Sequence, residues 1–156
     1  YQSESFSKLE VDKNVEKLVT KIVQSFQPNI EVDLHFDLQR VSLNINQAIP
    51  FSLIINEIVT NVFKHAFGEQ KERTLSVQLN EQENIVSIRI VDNGKGLPPD
   101  FTTFDSNNSL VMQVIETLSS QLNSNYSYRM VKGGTQFMLI FEKVDIIKGT
   151  GSSFLA

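Results

Sequence analysis

The chain has 156 residues, of which 40% are hydrophobic and 21% are charged, an ordinary composition for a globular protein of one domain. It contains no cysteine and only two histidines, which excludes disulfide frameworks, thiolate zinc sites and cysteine nucleophiles. The net charge is −4 and the 14 lysines and arginines are scattered, so no nucleic-acid partner is expected. No apolar run reaches the roughly 18 residues of a membrane span, so no membrane contact is expected. With no cysteine pairs and no signal peptide at its start, the chain is expected to be cytoplasmic.

The first half of the chain predicts two helices separated by two short strands. Apolar residues recur at helical spacing from Asp12 to Phe26, and Pro28 ends that pattern. Residues 32–45 then alternate with a period of two, which predicts a hairpin around Gln39-Arg40. A second helix is predicted from about Asn46 to Phe67.

The second half predicts two further hairpins and one helix. Alternating residues predict a hairpin over 75–90, residues 93–109 have the glycines and prolines of a loop, and a third helix is expected over 111–122. The last hairpin spans 126–141. The predicted fold class is α+β: a two-layer sandwich with a mostly antiparallel mixed sheet and about three helices on one face.

These elements indicate one domain over residues 1–143, followed by a flexible tail over 144–156 that contains the stretch Gly-Thr-Gly-Ser-Ser. The sequence starts at Tyr1 rather than Met, which indicates a fragment of a longer protein.

The second predicted helix has an unusual polar side. Its apolar side carries Ile55, Ile58, Val59, Val62 and Ala66, and its polar side carries Asn56, Glu57, Thr60, Asn61, Lys64 and His65. Most surface helices have a solvated polar side, but Asn and Thr are mediocre helix formers that a plain surface does not need. Glu57, Asn61 and Lys64 lie nearly in line, and such a row can hold a hydrated Mg²⁺ and the phosphates beside it.

Four of the seven glycines fall in two short stretches, in Asp92-Asn93-Gly94-Lys95-Gly96 and in Gly133-Gly134-Thr135. Glycines at alternate positions permit turns that other residues resist, and they let a planar ligand approach the backbone. Asp92 follows a predicted strand, so its carboxylate can accept a hydrogen bond from an exocyclic amine. Each stretch alone is equally typical of an ordinary turn.

The order of these motifs resembles the ATP-binding domain of sensor histidine kinases, in the superfamily of the gyrase, chaperone and mismatch-repair ATPases. Residues 56–67 (NEIVTNVFKHAF) resemble the N-box of that family. Residues 91–98 (VDNGKGLP) resemble its first glycine box, and residues 134–137 (GTQF) resemble its final Gly-Thr-x-Phe element. The likeness covers roughly residues 1–142, and details around Ile49-Pro50 are similar to a branch with short nucleotide lids.

The resemblance implies ATP and Mg²⁺ as cofactors and assigns roles to the N-box residues. Asn61 would bind Mg²⁺ through its side-chain oxygen. Glu57 would orient or deprotonate the attacking group, or contact Mg²⁺ through water. Lys64 and His65 would contact phosphate oxygens.

The resemblance also assigns roles to residues of the glycine motifs. Asp92 would bind the adenine amino group, Gly94 and Gly96 would shape the pocket wall, and Thr135 would help close the adenine end. The implied reaction is transfer of the γ-phosphoryl of ATP to a histidine on a separate helical domain upstream. A response regulator is the further partner, and the fragment itself is expected to be a monomer.

One position departs from the family pattern. The branch has Ser-Leu-Gly-Leu at the start of the third helix, where this chain has Ser109-Leu110-Val111-Met112. Glycine there lets backbone N–H groups approach phosphates, whereas Ser109 can still cap the helix and offer donors. A weakened or non-catalytic nucleotide-binding module on the same fold therefore stays open. A serine kinase of the anti-sigma type, which uses a related N-box, is a further alternative.

Overall fold

The computed structural model describes residues 8–26, 31–68, 71–95 and 110–144. Its helices are α1 (Val11–Phe26), α2 (Ile45–Asn61) and α3 (Leu110–Gln121), and a π-helical turn, Val62–Ala66, continues α2. Its strands are β1 (Lys8–Glu10), β2 (Asp33–Leu38), β3 (Ser42–Asn44), β4 (Thr74–Gln82), β5 (Ile85–Asp92), β6 (Asn125–Val131) and β7 (Gly134–Glu142).

Five strands form one mixed sheet in the order β2-β4-β5-β7-β6. Strands β2 and β4 are parallel, and every other neighbouring pair in this sheet is antiparallel. Strands β1 and β3 form a separate antiparallel pair. The predicted α+β class with a mostly antiparallel mixed sheet is confirmed, and so are the β4–β5 and β6–β7 hairpins.

The predicted hairpin around Gln39-Arg40 is wrong. Strand β2 pairs in parallel with β4, which places Phe36 opposite Val77, and the Gln39 N–H extends that pairing by donating to the Leu79 carbonyl at 3.0 Å. Strand β3 pairs with β1 instead. Alternation predicts a strand and the face it buries, but it carries no information about the partner strand.

The helix-facing side of the sheet is built from cross-strand rows. Val77, Ile90 and Phe137 form one row, and Leu79, Ile88 and Leu139 form the next, all of them buried. The same register continues to a row of Leu75, Asp92 and Thr135, which are also buried. Two polar side chains therefore lie at the end of an otherwise apolar face. Within the described ranges, no helix has both the length and the apolarity to cross a membrane.

A polar clamp fixes the first turn of α2 to the end of β7. Asn44 caps α2, since its side-chain oxygen accepts from the Gln47 N–H at 2.9 Å, and its Nδ2 donates to the Val144 carbonyl at 2.7 Å. The Gln47 side chain donates to the Glu142 carbonyl at 2.9 Å and accepts from the Val144 N–H at 3.0 Å. Both side chains are buried, so these four bonds replace water for the polar atoms of both side-chain amides and for four backbone groups.

Replacing Gln47 by Leu should lower the free energy of unfolding by about 2 kcal/mol, because the Glu142 carbonyl and the Val144 N–H lose their hydrogen bonds to its buried amide. Urea unfolding of both proteins measures this difference. Gln24→Leu, at an exposed position on α1, is the matched control and should change stability by no more than about 0.5 kcal/mol. Equal unfolding midpoints for the two variants would contradict the clamp.

Candidate functional site

The Asp92 carboxylate lies at the centre of the candidate site. Strand β5 ends at Asp92, and the pairing of β5 with β7 places it opposite Thr135. One carboxylate oxygen accepts from the Gly94 N–H at 2.8 Å, and the other accepts from the Thr135 hydroxyl. An ionised carboxylate has about four acceptor positions. With a further hydrogen bond from the Thr135 backbone, the carboxylate can still accept one from a ligand amine.

Burial has shifted the protonation equilibrium of this carboxyl group. Desolvation raises the pKa of Asp92 above its ordinary value of 3.8, and the hydrogen bonds from Thr135 and Gly94 oppose that shift. Tyr128 on β6 lies near enough for the Asp92 charge to act on it. Burial, with the Asp92 charge adding to it, raises the pKa of Tyr128 to about 12. The site therefore combines a neutral phenol with a desolvated carboxyl group.

The loop after Asp92 packs directly against the end of the helix that carries the polar side chains. The Lys95 N–H donates to the Ala66 carbonyl at 2.9 Å. A Cβ added to Gly94 would lie 2.5 Å from the same carbonyl oxygen, closer than real Cβ atoms come. Gly94 is thus required for the approach of this loop to the helix. The contact joins the two motifs that the sequence treats separately.

The helix ends in a π-helical turn at this junction. The Phe67 N–H donates to the Val62 carbonyl at 3.0 Å, five residues back. Val62, Phe63 and Phe67 are buried, whereas Lys64 and His65 on the same turn are exposed. π-Helical turns are often found at functional sites, where the extra residue redirects side chains. Here the turn keeps three apolar side chains in the core and leaves two basic ones on the surface.

The polar side of α2 is only partly exposed. Glu57 and Asn61 are half-buried and lie one helical turn apart. Their neighbours Asn56 and Thr60 are also half-buried and one turn apart. Asn61 lies little more than one helical turn before Ala66, where the helix contacts the Asp92 loop. The predicted division of this helix into an apolar and a polar side is confirmed by the burial of Ile55, Ile58, Val59 and Val62.

The structure brings some of the predicted residues together and leaves others undescribed. Asp92, Gly94 and Thr135 share one hydrogen-bonded cluster, and Glu57 and Asn61 share one side of α2. Gly96, Ser109 and the Val111 side chain lie outside the described residues, as do residues 145–156 of the predicted tail. The predicted roles of all these residues stay predictions.

Two residues of this region carry no obvious signal in the sequence. Asn93 connects the loop to the start of β4, since its Oδ1 accepts from the Thr74 N–H at 2.8 Å and its Nδ2 donates to the Glu72 carbonyl at 3.0 Å. The sequence suggests only an Asn-Gly turn there. Tyr128 looks like one of several alternating residues of an edge strand, and its relation to Asp92 depends on the β6–β7–β5 register.

The donor set suits a hydrated Mg²⁺. No group of three or more His, Cys, Asp or Glu side chains that could hold a metal ion occurs among the described residues. Glu57 and Asn61 offer one carboxylate and one amide oxygen on a common helix side. Mg²⁺ typically binds through one or two such oxygens together with water and substrate phosphates, and it does not need a full protein cage. The residues present therefore fit the ion.

The family model described as "Histidine kinase-, DNA gyrase B-, and HSP90-like ATPase" matches residues 46–145. The chain belongs to this family. The matched region runs from the first turn of α2 to the end of β7, so it contains the Asp92 cluster and the polar side of α2.

Curated relatives are sensor histidine kinases. The chain is 25% identical over 133 residues to the sensor histidine kinase PdtaS of Mycolicibacterium smegmatis, which covers 81% of this chain and 26% of the relative. It is 24% identical over 88 residues to the sensor histidine kinase LiaS of Bacillus subtilis, covering 56% of this chain and 23% of the relative. The chain thus spans about a quarter of the length of these relatives.

Solved structures of histidine kinase domains share the fold. The histidine kinase domain of the blue-light activated kinase EL346 from Erythrobacter litoralis superimposes with a TM-score of 0.77 at 16% identity, covering 86% of this chain and 62% of that one. The catalytic domain of the histidine kinase ThkA gives a TM-score of 0.67 at 13% identity, covering 87% and 95%. The domain is therefore an ATPase-family domain with the fold of histidine kinase catalytic domains.

Proposed function

We propose that this chain is the catalytic domain of a sensor histidine kinase, which binds Mg-ATP and transfers the γ-phosphoryl group to a histidine on a separate helical domain. The observation that carries the proposal is the Asp92 cluster. A buried carboxylate, held by the Gly94 N–H and the Thr135 hydroxyl, keeps acceptor capacity next to the end of the polar helix. A base with an exocyclic amine suits this acceptor, and adenine carries one.

The polar side of α2 supplies the phosphate end of the proposed site. Lys64 and His65 are exposed basic side chains on the π-helical turn, where they can contact phosphate oxygens. Asn61 and Glu57 would hold Mg²⁺, which neutralises phosphate charge when it is bound. Phosphoryl transfer depends mainly on positioning and on such charge neutralisation, and these side chains are of the types that can supply both.

Glu57 has a further role in the proposed transfer. An imidazole nitrogen of the acceptor histidine forms a bond to the γ-phosphorus, the bond from phosphorus to the bridging oxygen breaks, and ADP leaves. The other imidazole nitrogen carries a proton that Glu57 can accept or orient by a hydrogen bond. A half-buried carboxylate on an accessible helix side suits this role. In the wider protein, a response regulator would then receive the phosphoryl group.

Binding of a non-hydrolysable ATP analogue tests the proposal by calorimetry, with Mg²⁺ present and with EDTA. We expect the parent domain to lose about 10-fold or more in affinity when Mg²⁺ is removed. Asn61→Ala should bind as weakly in Mg²⁺ as the parent binds in EDTA, because the ion loses its amide ligand. An Asn61→Ala domain that keeps the full Mg²⁺ dependence would overturn the assignment.

Asn80→Ala is the matched control for this experiment. Asn80 is an exposed residue of β4 on the side of the sheet opposite the helices, so its amide faces away from the proposed site. The control should bind the analogue with the affinity and the Mg²⁺ dependence of the parent domain. Absence of any binding by the parent domain would reject the nucleotide-binding function as a whole.

A further inference from the structure

Two large apolar side chains are exposed on α2, upstream of its polar residues. Ile49 is 53% exposed and Leu53 is 48% exposed. They lie four residues apart, and Glu57 follows after four more, so the three side chains form one line along the helix. Each step along this line is about 6 Å. We call Ile49 and Leu53 the α2 patch.

The α2 patch lies where both ends of the described fold meet. Lys8 of β1, near the amino end, is paired with Asn44, the cap of α2. At the carboxyl end, Val144 is hydrogen-bonded to Asn44 and to Gln47. Any domain joined to either end of this fold is therefore tethered close to the first turn of α2. Tethering raises the effective concentration of such a domain at this surface.

The polar clamp fixes the backbone of the helical turn at which the α2 patch begins. Ile49 follows Gln47 by two residues, and Gln47 is bonded to Glu142 and Val144 on the neighbouring strand end. A surface that is already ordered loses little conformational freedom when a partner binds. A tethered partner with an apolar face can therefore dock here at small entropic cost.

We propose that the α2 patch is the docking surface for the apolar face of the histidine-bearing helix of the phosphoacceptor domain, which would lie along α2 and bring its histidine to Glu57. This inference rests on the proposed function, since it names where the partner of that reaction binds. Two observations select this occupant over an unrelated protein. The α2 patch is collinear with Glu57, and it adjoins both points at which a covalently linked domain can attach.

Autophosphorylation of the full-length protein at saturating ATP tests the docking. The double variant Ile49→Gln/Leu53→Gln should lower the rate by about 10-fold or more while the affinity for an ATP analogue stays within about twofold of the parent value. A matched control is available on the other side of the sheet. Ile85 and Ile140 are 42% and 39% exposed and are diagonal neighbours on β5 and β7. Their double replacement by Gln should leave the rate unchanged.

Hydroxyl-radical footprinting gives a second measurement that does not depend on kinase activity. Ile49 and Leu53 should be oxidised more slowly in the full-length protein than in the 156-residue chain, whereas Ile85 should react equally in both. Equal oxidation of the α2 patch in both proteins, or an unchanged autophosphorylation rate in the double variant, would overturn the docking surface. A full-length protein that protects the patch but phosphorylates no histidine would leave the docking intact and reject the proposed reaction.

The alternative occupant of the α2 patch is a second copy of this domain. Sedimentation of the isolated chain distinguishes it: a dimer that dissociates on Ile49→Gln/Leu53→Gln substitution would assign the α2 patch to self-association and contradict the proposal. A monomer at all concentrations tested supports a surface reserved for the linked domain.

Discussion

Asp92→Asn should lower the affinity of the domain for an ATP analogue by about 100-fold or more and leave the fold at least as stable at neutral pH. The loss of affinity follows from the hydrogen-bond inventory. Asn offers one acceptor oxygen and one NH₂ donor where Asp offers two acceptor oxygens. The Gly94 N–H requires an acceptor, so the Asn nitrogen takes the position next to Thr135. It then presents N–H groups to a ligand amine, and the negative charge is lost.

The fold should tolerate this change because the hydroxyl of Thr135 can accept as well as donate. In the parent protein, the buried Asp92 carboxylate is bonded to Thr135 and to the Gly94 N–H. In the variant the Asn amide can donate to the same hydroxyl and still accept from Gly94. Both of these hydrogen bonds are therefore kept, and the cost of burying a charge is removed.

The stability difference between the two proteins should depend on pH with a defined sign. Burial raises the pKa of Asp92 above 3.8, so the folded state holds this proton more tightly than the unfolded state. The contribution of the group to stability is greatest below 3.8 and is lost as the pH rises through the raised pKa. The Asn side chain does not titrate. In thermal unfolding, the stability of Asp92→Asn relative to the parent protein should therefore increase from acidic to neutral pH.

Asp37→Asn is the control for both measurements. Asp37 is an exposed carboxylate of β2 on the other side of the sheet, where it accepts a hydrogen bond from Gln78 at 3.4 Å. Its replacement should change neither the affinity for the ATP analogue nor the pH dependence of stability that Asp92 causes. If Asp92→Asn unfolds the domain, the carboxylate is a structural group. If the variant binds nucleotide like the parent, Asp92 does not recognise the base.

The sequence predicts the helices and strands of this fold better than it predicts which strands pair with each other. Helical periodicity located α1, α2 and α3 because each buries one side in the core, and alternation located β4 to β7 because each strand buries one face. The β4–β5 and β6–β7 pairings were predictable because short turns join these strands. The failure at residues 32–45 has a specific cause. β2 finds its partner in β4, beyond a whole helix, and β3 pairs with the three-residue strand β1, which is too short to show a period.

The candidate site was predictable where it depends on local chemistry. The polar side of α2 and the Asp92 loop both stand out because their residue types are poor choices for an ordinary helix or strand. The contact of Gly94 with Ala66 was not predictable, since it joins residues 28 positions apart through the tertiary fold. The π-helical turn was also missed, because a helical pattern with one additional residue differs little from a regular one.

Gly134→Ala should have the largest effect on stability of any single methyl addition at the described glycines, with a loss of about 3 kcal/mol or more. A Cβ at this position would lie 1.8 Å from the Asp92 carbonyl oxygen and 2.9 Å from the Cα of Asn93. Both atoms belong to the backbone, so no side chain can rotate away. The ends of β5 and β7 would have to separate. That separation would also break the bond between Thr135 and the Asp92 carboxylate.

Gly68→Ala provides the matched control, because among the described residues no atom outside its immediate chain neighbours lies within 4 Å of the position that its Cβ would occupy. This variant should unfold within about 0.5 kcal/mol of the parent protein in urea. The comparison separates a requirement for close backbone approach from the general effect of glycine on the unfolded chain. Gly134→Ala unfolding at the same urea concentration as Gly68→Ala would mean that β7 can move away from Asp92 at little cost. Thr135 would then be too loosely held to orient the carboxylate that we propose recognises the base.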